Sequence, residues 1–262
     1  MSGSGNDFLF FDARTEAAGE LTDPAVIERL CARGTGVGAD GIVLLQNDTS
    51  EAFRIRYFNR NGTLGELCGN ASLCTTRLAT ELKIGGREGF SFATDAGVIA
   101  ARLVHGEPQI DLQPSADLHP AVSIELESGE SKIGFVDTGV PHLVVLTTDT
   151  GAVDVERRGA VLRHHPSLAA GANVNFISPI ESGLWSMRTF ERGVEAETLA
   201  CGTGAVAAGI MLEAWRLSGA ATSWRTRSGR ILSVAVRHEG SAIMPSLGGE
   251  GRIVFEGRLA DL

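Results

Sequence analysis

Short runs in which apolar and polar residues alternate dominate the chain. In Phe53–Asn59 the apolar Phe53, Ile55 and Tyr57 alternate with Arg54 and Arg56, the period of a half-buried strand. The same reading predicts strands at Phe8–Asp12, Gly41–Gln46, Ser91–Thr94 and Val98–Val104 in the first half. His142–Leu146, Asn173–Ser178, Leu184–Phe190, Trp224–Arg227 and Ile231–Arg237 supply strands in the second. Four helices interrupt them. Asp23-Pro24 offers a capping side chain and a proline at the first helical position, and predicts a helix to about Arg33. Helices are also expected over Gly69–Leu82, Asp154–His165 and Gly202–Leu217. The pattern fits an α/β (α+β) fold.

The landmarks recur. Gly5-Asn6-Asp7 before a strand matches Gly139-Val140-Pro141 at an offset of 134, and Gly38-Ala39-Asp40 matches Gly171-Ala172-Asn173 at 133. Phe58-Asn59-Arg60 matches Phe190-Glu191-Arg192 at 132, and Cys68-Gly69 matches Cys201-Gly202 at 133. Thr94 and Gly97 match Thr226 and Gly229, and His105 matches His238. One pair means nothing, whereas an ordered series at nearly constant offset means duplication. Two domains of one topology are expected: 1–115, completed by a last strand at about 250–262, and 116–249. Equivalent residues of such halves are expected to face each other across a cleft, where small-molecule sites tend to lie.

Composition narrows the function. The 262 residues carry 23 Lys+Arg against 32 Asp+Glu, a net charge of −9, with no basic stripe to neutralise a phosphate backbone. No apolar run approaches the roughly 20 residues that span a bilayer. No basic and apolar leader opens the chain, so a cytoplasmic protein without a membrane or nucleic-acid partner is expected.

The four cysteines lack the close pairing of zinc sites, so no metal is expected. Cys31 and Cys74 fall inside expected helices and read as small buried hydrophobes. Cys68 and Cys201 each precede a glycine and a helix. A helix N-terminus favours thiolate over thiol, and its free N–H groups can hold a carboxylate. Two such thiols facing one another suggest a two-base reaction. One thiolate removes a Cα proton, the other thiol returns one to the opposite face, and no cofactor is needed.

At these residues the sequence resembles the diaminopimelate epimerase family. The matching phrases are SGSGNDF at 2–8, GTGVGADG at 34–41, FNRNGT at 58–63, LCGN at 67–70, TGVPHLV at 138–144, GANVNF at 171–176 and ERGVEAETLACGTGA at 191–205. The resemblance implies two pseudo-symmetric domains, each a mixed, mostly antiparallel sheet or barrel wrapped round a central helix. It implies cofactor-independent interconversion of LL- and meso-diaminopimelate, for lysine and peptidoglycan synthesis. It makes Cys68 and Cys201 the acid/base pair, assisted by His142 and Glu191. It places Asn6, Asn59, Asn173 and Arg192 on the substrate, with Gly69-Asn70 and Gly202-Thr203 gripping the reacting carboxylate. A small amino acid is then the partner; self-association as a homodimer is left open.

Some positions depart from the family's pattern. Ala71 and Leu73 stand where glycine and arginine are usual, Val140 where many members have asparagine, and Gly41 where some have glutamine. Alanine restricts φ, so a slightly altered carboxylate grip is expected around Ala71. The short strand that usually precedes the first motif is expected to be missing or to lie upstream of residue 1. A related racemase of another amino acid, such as histidine, is the alternative enzyme, and a non-catalytic duplicated binding protein the alternative from another class. Gly36–Gly41 fits G-x-G-x-x-G, but a helix precedes it and a strand follows, the reverse of a dinucleotide site. Thiol–disulfide exchange would normally use CxxC, which is absent.

Overall fold

The computed structural model describes residues 1–65, 67–86 and 88–259. The chain divides into two compact units, Met1–Ile110 together with the stretch from Gly249 onward, and Asp111–Gly248.

In the first unit, helix α1 (Pro24–Cys31) starts where the Asp23 carboxylate accepts from the N–H groups of Ala25 and Val26. Its face of Val26, Ile27, Leu30 and Cys31 packs on Ile42, Leu44 and Phe58. It stops at Cys31, short of the expected Arg33, because Ala32 turns to extended backbone. Strand Asn6–Asp12 runs parallel to Gly41–Gln46, with Phe8 opposite Gly41. Gly41–Gln46 lies antiparallel to Arg54–Asn59 and is buried from Gly41 to Leu45, as its unbroken apolar run requires. Arg54–Asn59 pairs antiparallel with Leu64–Gly65 and parallel with Phe90–Thr94, which forms a hairpin with Gly97–Val104.

The second unit repeats this order. Pro141–Thr147 runs parallel to Asn173–Glu181, which lies antiparallel to Leu184–Glu191. Leu184–Glu191 pairs antiparallel with Ala196–Thr198 and parallel with Ala221–Arg225, which pairs antiparallel with Ile231–Glu239. Helix α3 (Val155–Arg163) is capped by Asp154 as α1 is by Asp23.

Each unit has one enclosed helix. Helix α2 (Gly69–Glu81) is buried continuously from Gly69 to Thr76. Its polar residues are tolerated because Thr75, Thr76 and Thr80 donate back to the carbonyls of Ala71, Ser72 and Thr76. Helix α4 (Gly202–Ala214) is apolar on every side and buries ten of its residues, the signature of a helix surrounded by protein. The repeat extends to backbone angles. Cys68 (φ −128, ψ 114) and Cys201 (φ −129, ψ 112) hold the same extended conformation ahead of helices of 13 residues, and Lys83 and Arg216 after them both have φ 58.

Several expectations are corrected. Helices α2, α3 and α4 end at Glu81, Arg163 and Ala214 rather than Leu82, His165 and Leu217. Strands at Glu107–Asp111, Ala116–His119, Glu130–Asp137 and Ala242–Gly249 were not legible. In Glu130–Asp137 the run of Glu130, Ser131 and Lys132 hides the apolar face that pairs with Pro141–Thr147. The final segment is not a strand over residues 250–259. It contributes one bridge, in which Ser2 and Arg252 exchange backbone hydrogen bonds of 2.8 and 2.9 Å. Residues 260–262 of that expectation lie outside the described residues.

Among the described residues, Arg158 is a buried cation held in a fork. Arg158 meets Glu130 through Nε (2.9 Å) and Nη2 (2.8 Å), with 7% and 5% of the two side chains exposed. Removing one partner strands the other charge, so Arg158→Met is expected to lower unfolding free energy by about 3 kcal/mol in urea titration. Arg157→Met, whose glutamate partner Glu127 is exposed, is expected to change it little.

Candidate functional site

Cys68 and Cys201 take the N-cap positions of α2 and α4, and neither side chain caps its helix. The first-turn N–H groups of Gly69, Asn70 and Ala71, and of Gly202, Thr203 and Gly204, therefore have no intrahelical partner. All four cysteines are reduced. Burial pushes the Cys31 thiol up to about 11 and the Cys74 thiol up to about 12, so both remain protonated and inert. Cys68 is half-buried, and Cys201 is 5% exposed with its sulfur 3.5 Å from Thr203 Oγ1. Ala71 is helical, a conformation alanine favours, so the altered grip expected there has no backbone cause.

In the first unit a chain of amides and carboxylates leads to the first turn of α2. Asn70 Nδ2 donates to Asn6 Oδ1 (2.6 Å), and Asn6 Nδ2 donates to Asp40 Oδ2 (3.0 Å). Arg33 grips both Asp7 oxygens, at 2.9 and 2.6 Å, and reaches Asp40 Oδ1 at 3.0 Å. Burial pushes the Asp7 carboxyl up, but the Arg33 guanidinium more than offsets this and holds it below the usual carboxylate range. Asn70 itself is 2% exposed, and its Oδ1 has no partner among the described residues. Asn59 lies at the end of its strand, hydrogen-bonded to Tyr57 and Thr63. Beside Cys68 is a cavity of about 10 Å³ lined by Tyr57, Ala71, Ser72, Thr94 and Asp95.

The second unit uses a neutral network instead. Asn175 Nδ2 donates to Leu143 O (3.0 Å) and to His142 Nδ1 (3.0 Å), while its Oδ1 accepts from Thr189 Oγ1 (2.9 Å). With the amide oriented by Leu143 and Thr189, His142 Nδ1 accepts, and the imidazole proton sits on Nε2. That Nε2 is buried without a partner among the described residues. Burial, aided by repulsion from Arg192, pulls the His142 pKa down to about 3. The network reaches α4: a Cβ on Gly204 would lie 2.2 Å from Asn175 Oδ1, so only glycine fits there. Arg192 N donates to Asn173 Oδ1 (2.8 Å), and its guanidinium reaches Ala170 O at 3.3 Å. Glu191 ends the strand before it, its carbonyl accepting from Glu195 N. Val140 takes part through its carbonyl, which accepts from Thr138 N.

The structure thus joins Asn6 with Asn70 ahead of Cys68, and Asn173 with Arg192. It adds residues that sequence reasoning missed: Arg33, Asp7 and Asp40 in the first unit, Asn175 and Thr189 in the second. Asn175 had a signal, since it shares a strand face with Asn173 two residues away. Arg33 had none.

Solved structures show the same fold. A PhzF-family phenazine biosynthesis protein of Bacillus anthracis superposes with a TM-score of 0.73 at 16% identity, covering 95% of this chain and 91% of that one. A probable proline racemase from Agrobacterium radiobacter gives 0.65 at 21%, covering 92% and 83%. A hydroxyproline epimerase from Agrobacterium vitis, with bound trans-4-hydroxy-L-proline, gives 0.63 at 20%, covering 87% and 78%. Fold and repeated helix-opening cysteines together define a duplicated α/β protein of this fold class. Within it, the family described as diaminopimelate epimerase matches residues 1–114 and 134–251. A diaminopimelate epimerase of Gemmatimonas aurantiaca is 46% identical, covering 100% of this chain and 98% of that protein, and one of Aquifex aeolicus is 37% identical, covering 100% and 96%. The chain belongs to the diaminopimelate epimerase family.

A neutral His142 makes stability acid-sensitive. An unfolded imidazole titrates near about 6.5, so between there and about 3 the unfolded chain binds more protons and stability falls as pH falls. From pH 7.5 to pH 5 the wild type is expected to lose about 2 kcal/mol more than His142→Gln. Urea unfolding of both proteins at the two pH values measures the difference.

Proposed function

We propose that the protein interconverts LL- and meso-diaminopimelate by two-base proton transfer. One of Cys68 and Cys201 removes the α-proton as thiolate, and the other returns a proton to the opposite face as thiol. The observation that carries this reading is the identical placement of two cysteines, each held extended at the mouth of an enclosed helix whose first-turn N–H groups have no intrahelical partner and no cap from the cysteine side chain. Those N–H groups would bind the reacting α-carboxylate and stabilise charge developing on it, where preorganised dipoles contribute most. Gly69-Asn70 and Gly202-Thr203 would supply the grip, and Asn6, Asn59, Asn173 and Arg192 would hold the rest of the substrate. Neutral His142, donating from Nε2, would orient a carboxylate or thiolate rather than supply a full charge, and Glu191 would assist as an acid/base group. The chemistry needs no cofactor. The same reading places the enzyme in the cytoplasm, where free thiols stay reduced. No helix among the described residues is long and apolar enough to cross a membrane.

The test is proton exchange in D₂O followed by NMR, with diaminopimelate and histidine as substrates. Wild type is expected to deuterate Cα of diaminopimelate and to leave histidine unlabelled. Cys68→Ala and Cys201→Ala are each expected to lower epimerisation by about 10³-fold or more. Full activity in both variants would refute the two-base account.

A further inference from the structure

We infer that Asn175 is a positioning residue that holds the His142 imidazole in one tautomer. His142 then presents an N–H to an anion from Nε2 and takes no part in proton transfer. This deepens the reading that His142 serves the reacting centre and rests on it.

One backbone atom decides the direction of every bond in the network. Asn175 stands opposite Val144 in the parallel ladder, so its amide lies beside the strand that carries His142 and Leu143. The Leu143 carbonyl can only accept, and it lies 3.0 Å from Asn175 Nδ2. A reversed amide would set oxygen against oxygen there. The amide oxygen instead accepts from Thr189 Oγ1 at 2.9 Å. The second Nδ2 hydrogen is left for His142 Nδ1 at 3.0 Å, which therefore accepts and carries no proton. Helix α4 fixes the place of the amide: a Cβ on Gly204 would lie 2.2 Å from Asn175 Oδ1 and 3.2 Å from Cys201 Cβ. The network thus abuts the first turn that Cys201 opens.

The consequence is chemical. To accept a proton at Nε2, the ring would first have to move its own to Nδ1, where it would meet the Asn175 N–H head-on. A doubly protonated ring meets the same clash and carries a charge in a fully buried site. Giving up the Nε2 proton would leave an imidazolate. A pKa of about 3 agrees with a ring that stays neutral. What remains is a buried N–H with no partner among the described residues. A carboxylate and a thiolate, the two anions of the proposed reaction, are the acceptors that would meet it. A donor that never titrates serves both directions of an epimerisation equally.

The experiment reads the ring directly. Long-range ¹H–¹⁵N NMR at about pH 8.5, where an imidazole is neutral, distinguishes the tautomers. The His142 signals are those lost in His142→Gln. Wild type is expected to carry the proton on Nε2, and Asn175→Asp, which sets an acceptor beside Nδ1, to carry it on Nδ1. That reversal is expected to lower kcat for diaminopimelate by about 10²-fold with KM within about threefold, the loss of one preorganised donor. His142→Gln, which keeps an N–H near the Nε2 position but cannot exchange protons, is expected to cost only about tenfold, well below the loss of a general acid or base. Reversing the ring should therefore cost more than replacing it. Ser178→Ala, on the same strand, removes a buried hydroxyl that accepts from Thr150 N at 3.1 Å, and is expected to leave kcat and the tautomer unchanged.

A His142→Gln loss beyond about 10³-fold, a proton still on Nε2 alone in Asn175→Asp, or a Ser178→Ala loss equal to that of Asn175→Asp would overturn the inference. An active wild type with its proton on Nδ1 would overturn it and leave the proposed function standing, whether or not any variant folds. A wild type with the proton on Nε2 that epimerises nothing would sink the proposed function, and with it the claim about proton transfer, while the tautomer assignment would stand.

Discussion

A helix enclosed on all sides can satisfy its first-turn N–H groups only at its own end. Helix α4 buries ten of thirteen residues, with Gly202 and Gly204 of its first turn among them. The usual remedy is a Ser, Thr, Asp or Asn at the N-cap, and α1 and α3 use it through Asp23 and Asp154. At α2 and α4 a cysteine occupies that position, and its side chain leaves the N–H groups unmet. The two enclosed helices thus start without a side-chain cap, while the two surface helices are capped in the ordinary way. The surrounding strands enforce this arrangement by covering every other face.

The two copies satisfy the constraint with different chemistry. The first unit ties its loop to α2 through charge, with Arg33 bridging Asp7 and Asp40 and Asn6 linking Asp40 to Asn70. The second uses no charge at the equivalent depth: His142, Asn175 and Thr189 form a neutral buried network against which Gly204 packs. Neutral groups avoid the desolvation cost of buried ions, which is why His142 stays unprotonated. The cation that remains near it, Arg192, adds to the attraction for an anion in that unit.

Much of the frame was legible because duplication writes each signal twice. Cys68 and Cys201, the glycines after them and the helices they open were readable from one offset of 133. Most of the longer strands of both halves were legible as short alternating or apolar runs, though not their pairing directions. What escaped notice had a physical reason. Glu130–Asp137 opens with three polar residues, and Ala242–Gly249 ends in two glycines, so neither shows the period of a strand. Arg33, separated from Asp7 by 26 residues, pairs through tertiary structure that no local pattern encodes. Tyr57 read simply as the apolar side of a strand, yet its hydroxyl donates to Asn59 Oδ1.

Duplication also sets a problem that substitution between the copies solves. Inverting one carbon calls for two like groups, and in the proposed mechanism the matched cysteines supply them. A substrate with a second, distant centre must be read by groups that differ between the halves. Those differences sit at matched positions of the repeat. Asn59 corresponds to Glu191, an amide exchanged for a carboxylate, and Asp40 corresponds to Asn173, a carboxylate exchanged for an amide. Asp40 shares Arg33 with Asp7, whereas Asn173 receives the backbone N–H of Arg192. The charge at matched positions thus differs between the units, on a backbone that hardly changes. A repeated fold acquires direction through side chains, because altering either helix end would disturb the matched N-cap geometry on which the proposed reaction relies.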